Sequence, residues 1–448
     1  MFPVSRLLTL LTCCHLALSP VWSADFFVSP DGDDKNPGTR TESFASIRRA
    51  HRDAKPGDTI HLRGGTYRLS DKDITRTYRN QAFVIHLDKS GKPGKPIHYR
   101  AVEGEQPIFD FSQVKPEHKR VHAFQVSGSH LHIEGLEVVG VQVTSTGHTQ
   151  SICFSNTGSH NVYERLKMHD GMGIGFYLTR GSDNLVLNCD AWNNHDPVSG
   201  DGRGGNVDGF GCHPYRNHET GNVFRGCRAW FNSDDGYDSI SAAAGVRFEN
   251  CWAFYNGYSP EFESLADGNG FKAGGYGISH DTRFPREIPR HVVTRCLAVR
   301  NKQHGFYANH HPGGGDWIHN TAYRNRTNFN MLCYDIEQRR DVPGTGHVLK
   351  NNLGAGTRTE TLHLPEEGNT LAGNVFGVKN EKDEFLSLEL TALTAPRKAN
   401  GDLPDIDLLH LSPTSSLIDR GVVLDGPYEG RAPDPGAFEA AAESATTE

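Results

Sequence analysis

C-R-A-W-F-N (Cys227–Asn232) is followed about 24 residues later by C-W-A-F-Y-N (Cys251–Asn256), and the pattern recurs through the middle of the chain. In each copy small residues alternate with larger ones, and an Asn closes the segment. Alternation with a period of two predicts a strand rather than a helix. The other copies are Cys189–Asn194, Cys296–Asn301, Asn320–Asn325 and two weaker ones that start at Leu166 and Asn352.

A base period of about 24 residues, with loops inserted between some copies, predicts a solenoid in which each coil contacts only its neighbours. Parallel strands joined by short turns at this period predict an all-β fold, the right-handed parallel β-helix. The solenoid needs a cap at each end. Phe44–Ala54 has an apolar helical face and predicts an N-terminal capping helix, and Leu411–Glu439 is expected to form a C-terminal cap strand.

Two columns of equivalent residues follow from the repeat. The first is a column of small inward side chains, which we expect to be buried free thiols because seven cysteines follow the leader, an odd number. The second is a column of Asn at a turn, where Asn tolerates left-handed backbone geometry and can hydrogen-bond to its neighbours. The columns are Cys189, Cys227, Cys251 and Cys296, and Asn194, Asn232, Asn256, Asn301 and Asn325.

The first 24 residues have the pattern of a secretory signal peptide: Arg6, the apolar stretch Leu7–Leu18, and small residues up to Ala24. The apolar stretch is too short to span a bilayer. Cleavage before Cys13, as in a lipoprotein, is an alternative, although Thr12 is a poor residue for it. We therefore predict an exported protein, extracellular or periplasmic, with one domain over residues 25–439 and a disordered tail over residues 440–448.

The net charge of −8 argues against nucleic acid or any other polyanion being attracted by the protein as a whole. An acidic substrate would need a local positive site or a bound cation. No later segment is long and apolar enough to cross a membrane, so we expect no membrane contact. The sequence gives no sign of an oligomer, and we expect a monomer.

Three segments that read as successive repeats carry a concentration of charged residues. When they are aligned on their Gly-aromatic pairs, Asp208 and Asp235 fall at one position, and Asp238 and Lys272 fall at another. Neighbouring strands lie roughly 4.8 Å apart, so these carboxylates, with Asp234, are expected to converge. The segments are V-D-G-F-G (Val207–Gly211), S-D-D-G-Y-D (Ser233–Asp238) and G-N-G-F-K (Gly268–Lys272).

Converging carboxylates repel one another unless a cation lies among them, and Ca²⁺ prefers several carboxylate oxygens. The sequence therefore predicts a calcium site at the four aspartates, with Lys272 beside it as a candidate base. The alternative for the aspartates is that they cap turns, as Asp before Gly often does. The alternative for Lys272 is a structural ion pair with Asp238.

The chain resembles polysaccharide lyase family 9, the calcium-dependent pectate lyases and their rhamnogalacturonan lyase relatives. The resemblance covers most of the chain after the leader. Beyond the segments above, it is carried by the opening F-V-S-P-D-G-D-D-K-N-P-G-T (Phe27–Thr39). The site motifs are Asn206–Gly211, Asn232–Asp238, Asn250–Asn256 and Gly268–Gly275.

The resemblance implies that Asp208, Asp234, Asp235 and Asp238 hold calcium and that Lys272 is the Brønsted base. It further implies cleavage of galacturonate-containing pectin, either homogalacturonan or the rhamnogalacturonan backbone, by β-elimination. H-G-F-Y-A-N-H-H-P-G-G (His304–Gly314) is bulkier and richer in His than expected for a pectate lyase, which puts plain homogalacturonan in doubt.

Candidate substrate-binding residues lie on the loops and strands beside this position. Each could equally be a turn or stacking residue. They are Tyr215, Tyr276, His304, Tyr307, Asn309 and His310. The long loops 194–208, 256–270 and 274–290 are expected to form the walls of the groove.

Two other functions remain open from the residues alone. A polygalacturonase-type β-helix hydrolase would use Asp234 and Asp235 as an acid/base pair, but it would leave Lys272 without a role. A non-catalytic carbohydrate-binding β-helix would need neither the aspartates nor the lysine.

Overall fold

The computed structural model describes residues 23–275 and 287–440, and it is a right-handed parallel β-helix as predicted. Each full coil contributes one strand to each of three long sheets, sheet A, sheet B and sheet C. Apart from the antiparallel pair β4 (Arg76–Tyr78) and β5 (Gln81–Leu87), neighbouring strands in these sheets are parallel. A separate antiparallel hairpin is formed by β30 (Leu332–Asp335) and β31 (Arg340–Pro343).

The strands of sheet A are β1 (Asp25–Val28), β2 (Thr59–Leu62), β6 (Ile97–Ala101), β9 (Leu131–Glu134), β12 (Val162–Glu164), β15 (Leu185–Leu187), β18 (Asn222–Arg225), β21 (Val246–Glu249), β24 (His291–Thr294), β27 (Gly315–Ile318), β32 (Val348–Lys350) and β35 (Thr370–Ala372). Those of sheet B are β3 (Gly65–Ser70), β7 (Pro107–Gln113), β10 (Glu137–Val139), β13 (Lys167–His169), β16 (Asp190–Trp192), β19 (Arg228–Trp230), β22 (Trp252–Phe254), β25 (Leu297–Val299), β28 (Thr321–Tyr323), β33 (Leu353–Ala355) and β36 (Val375–Phe376).

The strands of sheet C are β4 (Arg76–Tyr78), β5 (Gln81–Leu87), β8 (Arg120–Val126), β11 (Ile152–Asn156), β14 (Ile174–Leu178), β17 (Phe210–Cys212), β20 (Tyr237–Asp238), β23 (Phe271–Lys272), β26 (His304–Tyr307), β29 (Thr327–Asn330) and β34 (Thr361–Leu362).

The register of sheet C is set by a ladder of aromatic rings that point into the core. Phe210 stacks on Tyr237 at 5.1 Å between ring centroids, and Tyr237 stacks on Phe271 at 4.6 Å. Phe306 continues the ladder at 5.2 Å from Phe271. Since side chains alternate along a strand, fixing the aromatic ring inward fixes the next residue outward.

The asparagine column is a hydrogen-bonded ladder in the core. The side-chain amide of Asn232 donates to the Oδ1 of Asn256 at 3.1 Å, and Asn256 donates to Asn301 at 2.9 Å. The prediction that these Asn take left-handed backbone geometry is wrong. The residue before each one does so instead, as Phe231 at φ 51° and Tyr255 at φ 58° show. Asn is needed because its amide can donate and accept along the stack.

All seven cysteines from Cys153 to Cys333 are free and buried, as predicted. Cys189 and Cys227 lie in the bend immediately before β16 and β19 rather than within the strands. The Cys227 thiol donates to the carbonyl of Val186 one coil earlier at 3.4 Å. The thiols therefore fill the corner between sheets A and B.

The N-terminal capping helix is present as α1 (Ile47–Asp53), which is shorter than the predicted segment. Ser46 is its N-cap and accepts a hydrogen bond from the backbone N–H of Arg49. Ile47 and Ala50 are buried against the first coil. The helix ends at Asp53 because the chain turns at Pro56-Gly57, where proline cannot continue it.

The C-terminal segment does not form the predicted cap strand. After two short helices, α2 (Glu381–Glu384) and a 3₁₀ helix (Leu390–Thr394), residues 395–440 contain only isolated bridges. Leu408 and Leu411 pack with Trp252 and Val299 in a second apolar cluster on the outer face of sheet B. The segment lies along the side of the solenoid because this outer face is apolar and needs a cover.

The predicted leader and tail fall mostly outside the described residues, as do residues 276–286. Ala24 and Ala440 are described: Ala24 donates to Asp58 and Ala440 donates to Asp434, each at 2.8 Å. Among the described helices, none has the length and apolar character needed to cross a membrane.

Candidate active site

The outer face of sheet C presents two columns of side chains, and the predicted site lies where both become charged. Column one contains the residue two positions before the inward ladder residue (Ile85 on β5 and an aromatic ring on the later strands), and column two contains the residue that follows it. Column one lies outward because the residue between also faces the core, which interrupts the alternation: a Cβ on Gly209 would meet the Cβ of Ala229 at 2.7 Å. Column one runs Phe83, His122, Ile152, Ile174, Asp208, Asp235, Asn269, His304, Thr327, and column two runs His86, Gln125, Ser155, Tyr177, Gly211, Asp238, Lys272, Tyr307, Asn330.

The predicted alignment of repeats is confirmed in column two. Gly211 pairs with Asp238, and Asp238 pairs with Lys272 on the next strand. Tyr177 lies one strand before Gly211, and a Cβ on Gly211 would meet its Cδ2 at 2.5 Å. Glycine is therefore required there if the Tyr177 ring is to lie beside the carboxylates.

Asp208, Asp234 and Asp235 bring their carboxylate oxygens within 4.8 Å of one another, and all three are buried. Their sequence positions explain the convergence: Asp208 and Asp235 are column-one neighbours, and Asp234 precedes Asp235. Asp208 accepts a hydrogen bond from the backbone N–H of Asp235 at 3.1 Å. Oδ1 of Asp235 accepts two hydrogen bonds from Asn269, one from its backbone and one from its side chain, both at 2.7 Å.

The cluster is electrostatically unfavourable without a further cation. Burial raises the pKa of Asp208 well above its usual value, and the charges of Asp238, Asp234 and Asp235 raise it further. The pKa of Asp234 is raised in the same way, by burial and then by Asp235. For Asp235, burial also raises the pKa, although the charge of Lys272 opposes it.

Lys272 is the ammonium group that faces these carboxylates. Its Nζ lies 2.9 Å from Oδ2 of Asp235 and 3.1 Å from Oδ2 of Asp238. Only the second contact has hydrogen-bond geometry, so Asp235 Oδ2 is buried without a hydrogen bond. Burial lowers the pKa of Lys272, but the charges of Asp235 and Asp238 outweigh it, and the net pKa is well above its usual value.

The aspartates fit a divalent cation better than they fit Lys272 alone. Four carboxylates face one ammonium group, and oxygen atoms of three of them converge. Hard oxygen donors in this number are what Ca²⁺ requires. The buried Asp235 Oδ2 is an oxygen that such an ion would satisfy.

Two of the predicted loops form one wall of the site. The backbone N–H of Asp234 donates to the carbonyl of Val207 at 3.1 Å, and that of Asp267 donates to Oδ1 of Asp234 at 3.3 Å. Arg203 reaches from loop 194–208 to the carbonyl of Leu265 in loop 256–270 at 2.9 Å. The third predicted loop, 274–290, lies largely outside the described residues.

The structure brings four of the six predicted substrate-binding residues together on the strand beyond Lys272 and in the turn that follows it. Tyr307 pairs with Lys272, and His304 is its column-one neighbour on the same strand. His310 contacts Oδ1 of Asp341 at 3.3 Å, and Asn309 lies buried beside it with an amide nitrogen that lacks a hydrogen bond. Tyr215 lies elsewhere, half-exposed after β17, with the Arg180 guanidinium 5.0 Å from its ring centroid. Tyr276 is outside the described residues.

This geometry agrees with the comparisons with known proteins. A family model described as "Pel9A-like, right handed beta helix region" matches residues 26–352, which include both columns and all four aspartates. The chain belongs to this family.

Relatives of this Pel9A-like chain are named as lyases. Pectate lyase L of Dickeya chrysanthemi is 34% identical over 92% of this chain and 90% of its own length. A solved rhamnogalacturonan lyase is 42% identical, with a TM-score of 0.83 over 87% of this chain and 97% of the other. The crystal structure of pectate lyase Pel9A is 30% identical, with a TM-score of 0.75 over 94% and 97%.

Sequence reasoning missed Tyr177, which borders the cluster in this Pel9A-like fold. Burial raises the pKa of Tyr177, and so do the charges of Asp238 and Asp208, whereas Arg120 lowers it. The signal was present: Gly175-Phe176 is another Gly-aromatic pair, which places Tyr177 in the column of Asp238 and Lys272. The copy was overlooked because Ile174 stands where the later copies carry an acid or amide.

Proposed function

We propose that this protein is a secreted, calcium-dependent polysaccharide lyase that cleaves the rhamnogalacturonan backbone of pectin by β-elimination. Its class, a pectin-cleaving polysaccharide lyase, follows from the lyases to which it is related over most of its length. The observation that carries the residue assignment is the contact of Lys272 with two carboxylates of a buried four-aspartate cluster. The signal-like first 24 residues support secretion.

Two observations favour rhamnogalacturonan over homogalacturonan. Identity is 42% to the solved rhamnogalacturonan lyase and 30% to pectate lyase Pel9A. The strand beyond Lys272 carries His304 and Tyr307, whose rings lie 4.6 Å apart and face the path of a substrate along sheet C.

In the proposed site Asp208, Asp234, Asp235 and Asp238 would hold calcium. A bound calcium ion would neutralise the galacturonate carboxylate, stabilise the charge that develops on it, and oppose the carboxylate charges that keep Lys272 protonated.

Lys272 in its neutral amine form accepts the proton from carbon 5 of galacturonate. The electron pair of that C–H bond forms a double bond between carbons 4 and 5. The bond from carbon 4 to the glycosidic oxygen breaks, and this oxygen leaves with its electron pair and takes up a proton from water. Asp235 and Asp238 orient the Lys272 amine, since both lie within 3.1 Å of Nζ.

The test is to incubate the protein with rhamnogalacturonan and with polygalacturonate, each with calcium and with a chelator. We expect ultraviolet-absorbing unsaturated products from rhamnogalacturonan in calcium, and none after chelation. New reducing ends without that absorbance would indicate hydrolysis and contradict the proposal. Faster production from polygalacturonate would contradict the substrate assignment.

A further inference from the structure

A second part of the groove lies on the N-terminal side of the aspartate cluster, along β4, β5, β8, β11 and β14. It has a volume of about 520 Å³. Its lining includes Arg76, Arg120, His86 and His122 and no Asp or Glu among the described residues. In a protein of net charge −8, an acid-free groove with two arginines is a local positive site of the kind an acidic chain requires.

Some polar groups of this groove are used by the fold, as His86 bonds to Ser127 and Gln125 to Thr157, but its arginines and His122 are not paired in this way. Neither Arg76 nor Arg120 forms an ion pair with a carboxylate in the described residues, and Arg120 Nε is buried without a hydrogen bond. His122 is 6% exposed; its ring nitrogens form no hydrogen bond of full geometry, although the Gln125 side chain is near enough to raise its pKa. Buried polar groups are nearly always paired, so these groups are candidates for contact with a ligand.

The two residues offer complementary chemistry. Arg120 and His122 are two positions apart on β8 and therefore face the same side. Burial, and then the Arg120 charge, lower the pKa of His122 to about 4 against an opposing interaction with Gln125, so His122 is neutral at neutral pH. A neutral imidazole donates one hydrogen bond and accepts one, as a sugar hydroxyl requires, while Arg120 matches a carboxylate.

Tyr78 completes the chemistry of an acidic-sugar site. It is 49% exposed on the edge strand β4, where it pairs with Gln81, and Gln81 pairs with Arg120. The guanidinium carbons of Arg76 and Arg79 lie 5.7 and 5.4 Å from its ring centroid. An exposed ring next to two cations offers an apolar face for a sugar within reach of charges for its carboxylate.

The spacing between the two charged regions indicates which polymer fits. Asp208 lies at the level of β17 and Arg120 lies on β8, three strands away, or roughly 14 Å at ~4.8 Å per strand. The outward positions of β11 and β14 between them carry Ile152, Ser155, Ile174 and Tyr177, none of which is charged at neutral pH.

We propose that Arg120 and His122, with Arg76 and Tyr78, form a metal-independent subsite for a second galacturonate, separated from the reactive one by neutral sugar. In a rhamnogalacturonan backbone, acidic and neutral sugars alternate, which matches charged regions separated by an uncharged stretch. In homogalacturonan every sugar is acidic, so carboxylates would also lie over the uncharged strands β11 and β14, where no cation faces them among the described residues. The substrate class rests on the proposed function, whereas the binding site does not require turnover.

The experiment measures binding by calorimetry in excess chelator, with rhamnogalacturonan and homogalacturonan oligosaccharides of matched length. Arg120→Gln should weaken binding of the rhamnogalacturonan oligosaccharide about tenfold, because a charge-assisted hydrogen bond is lost. Arg120→Lys should keep part of the affinity. The matched control is Arg68→Gln, an exposed arginine on β3 in sheet B that forms no ion pair in the described part of the chain.

Unchanged affinity in Arg120→Gln would overturn the subsite, as would undetectable binding to the unmodified protein at millimolar oligosaccharide. Equal or tighter binding of homogalacturonan would overturn the spacing argument. Lyase activity is read separately, from unsaturated product in calcium. Its absence with intact, Arg120-dependent binding would reject the proposed function and leave the subsite standing.

Discussion

Two buried clusters of charged residues in this molecule shift the pKa of their carboxylates in opposite directions. Asp190 on β16 is 5% exposed, and it accepts hydrogen bonds from Arg228 at 2.9 and 3.0 Å and from Arg397 at 2.6 Å. Burial raises its pKa, but the two guanidinium groups outweigh burial, and the net pKa is lowered. In the aspartate cluster, where Lys272 is the facing cation, the pKa values of Asp208, Asp234 and Asp235 are raised.

Because the carboxylates of both clusters are buried, the number of cations per carboxylate decides whether their pKa values are raised or lowered. The Asp190 cluster fastens the C-terminal segment to sheet B, because Arg397 belongs to that segment and Arg228 belongs to β19. It is complete without a ligand. The aspartate cluster has excess negative charge, which a structural role would not require and which a bound cation would balance.

The largest expected effect separates catalysis from structure. Lys272→Ala should lower kcat about a thousandfold, since loss of a general base costs typically 10² to 10⁴. Calcium affinity and substrate KM should change little, because the role of the base is in the transition state. Arg397→Gln is the control: it should lower stability and leave the kcat of folded protein unchanged. A similar loss of kcat in both variants would remove the distinction between the clusters.

The second prediction concerns the free energy of unfolding in chelator. Asp190→Ala should lower it by about 3–5 kcal/mol, because two buried arginines lose their partner. Asp208→Asn should leave it unchanged or raise it, because the substitution removes a charge that burial and three neighbouring carboxylates disfavour. Urea unfolding of both variants in chelator measures whether each substitution lowers or raises the free energy of unfolding. Equal destabilisation by the two substitutions would mean that both clusters stabilise the fold, and would contradict the difference drawn between them.

The third prediction concerns His347, a buried histidine that lies outside both clusters. Burial lowers its pKa to about 3, as do the nearby His311 and Arg290 charges to a smaller extent. A folded pKa below the unfolded value of about 6.5 means that stability is present at neutral pH and is lost as pH falls from 6.5 towards 3. At pH 5 this residue should lower the free energy of unfolding by about 2 kcal/mol relative to pH 8.

His347→Gln should therefore reduce the loss of stability between pH 8 and pH 5, as measured by urea unfolding at each pH. Asp190, whose pKa is lowered, loses its contribution only at lower pH, so Asp190→Asn should not reduce the loss in this window. The prediction fails if His347→Gln and the unmodified protein have the same pH dependence.

The smallest expected effect tests geometry against charge in the Asp190 cluster. Arg397→Lys keeps the positive charge and loses the planar fork that contacts Asp190 and the carbonyls of Cys189 and Gly226. We expect a loss of about 1 kcal/mol in the free energy of unfolding. A loss as large as that of Arg397→Gln would show that the fork, not the charge, stabilises the segment.

The sequence predicted the coil register and the site because both depend on repeated residue types. A Gly-aromatic pair in each copy placed Asp238 and Lys272 on adjacent strands, and the structure has that pairing. The left-handed residue was assigned one position late, to Asn232 rather than Phe231, because side-chain chemistry suggested Asn while the fold needs its amide for the ladder.

Non-repeating features could not be predicted in the same way. Leu411–Glu439 was predicted to form a cap strand, yet this segment is irregular, and Leu411 lies in one apolar cluster with Trp252 of sheet B, which no local pattern reveals. Arg120 and His122 were missed because their significance depends on what they do not contact. The absence of an ion pair is a property of the folded neighbourhood.

We infer that the unbalanced aspartate cluster is a cation site required for β-elimination. The most direct test of this inference is the initial rate of unsaturated product from rhamnogalacturonan as free calcium is varied over chelator-stripped protein, with Asp235→Asn measured alongside. We predict no rate in chelator, a saturable rise with calcium, and no comparable rise in Asp235→Asn. A full rate from the stripped protein would contradict the claim, as would an Asp235→Asn variant with the calcium dependence of the unmodified protein.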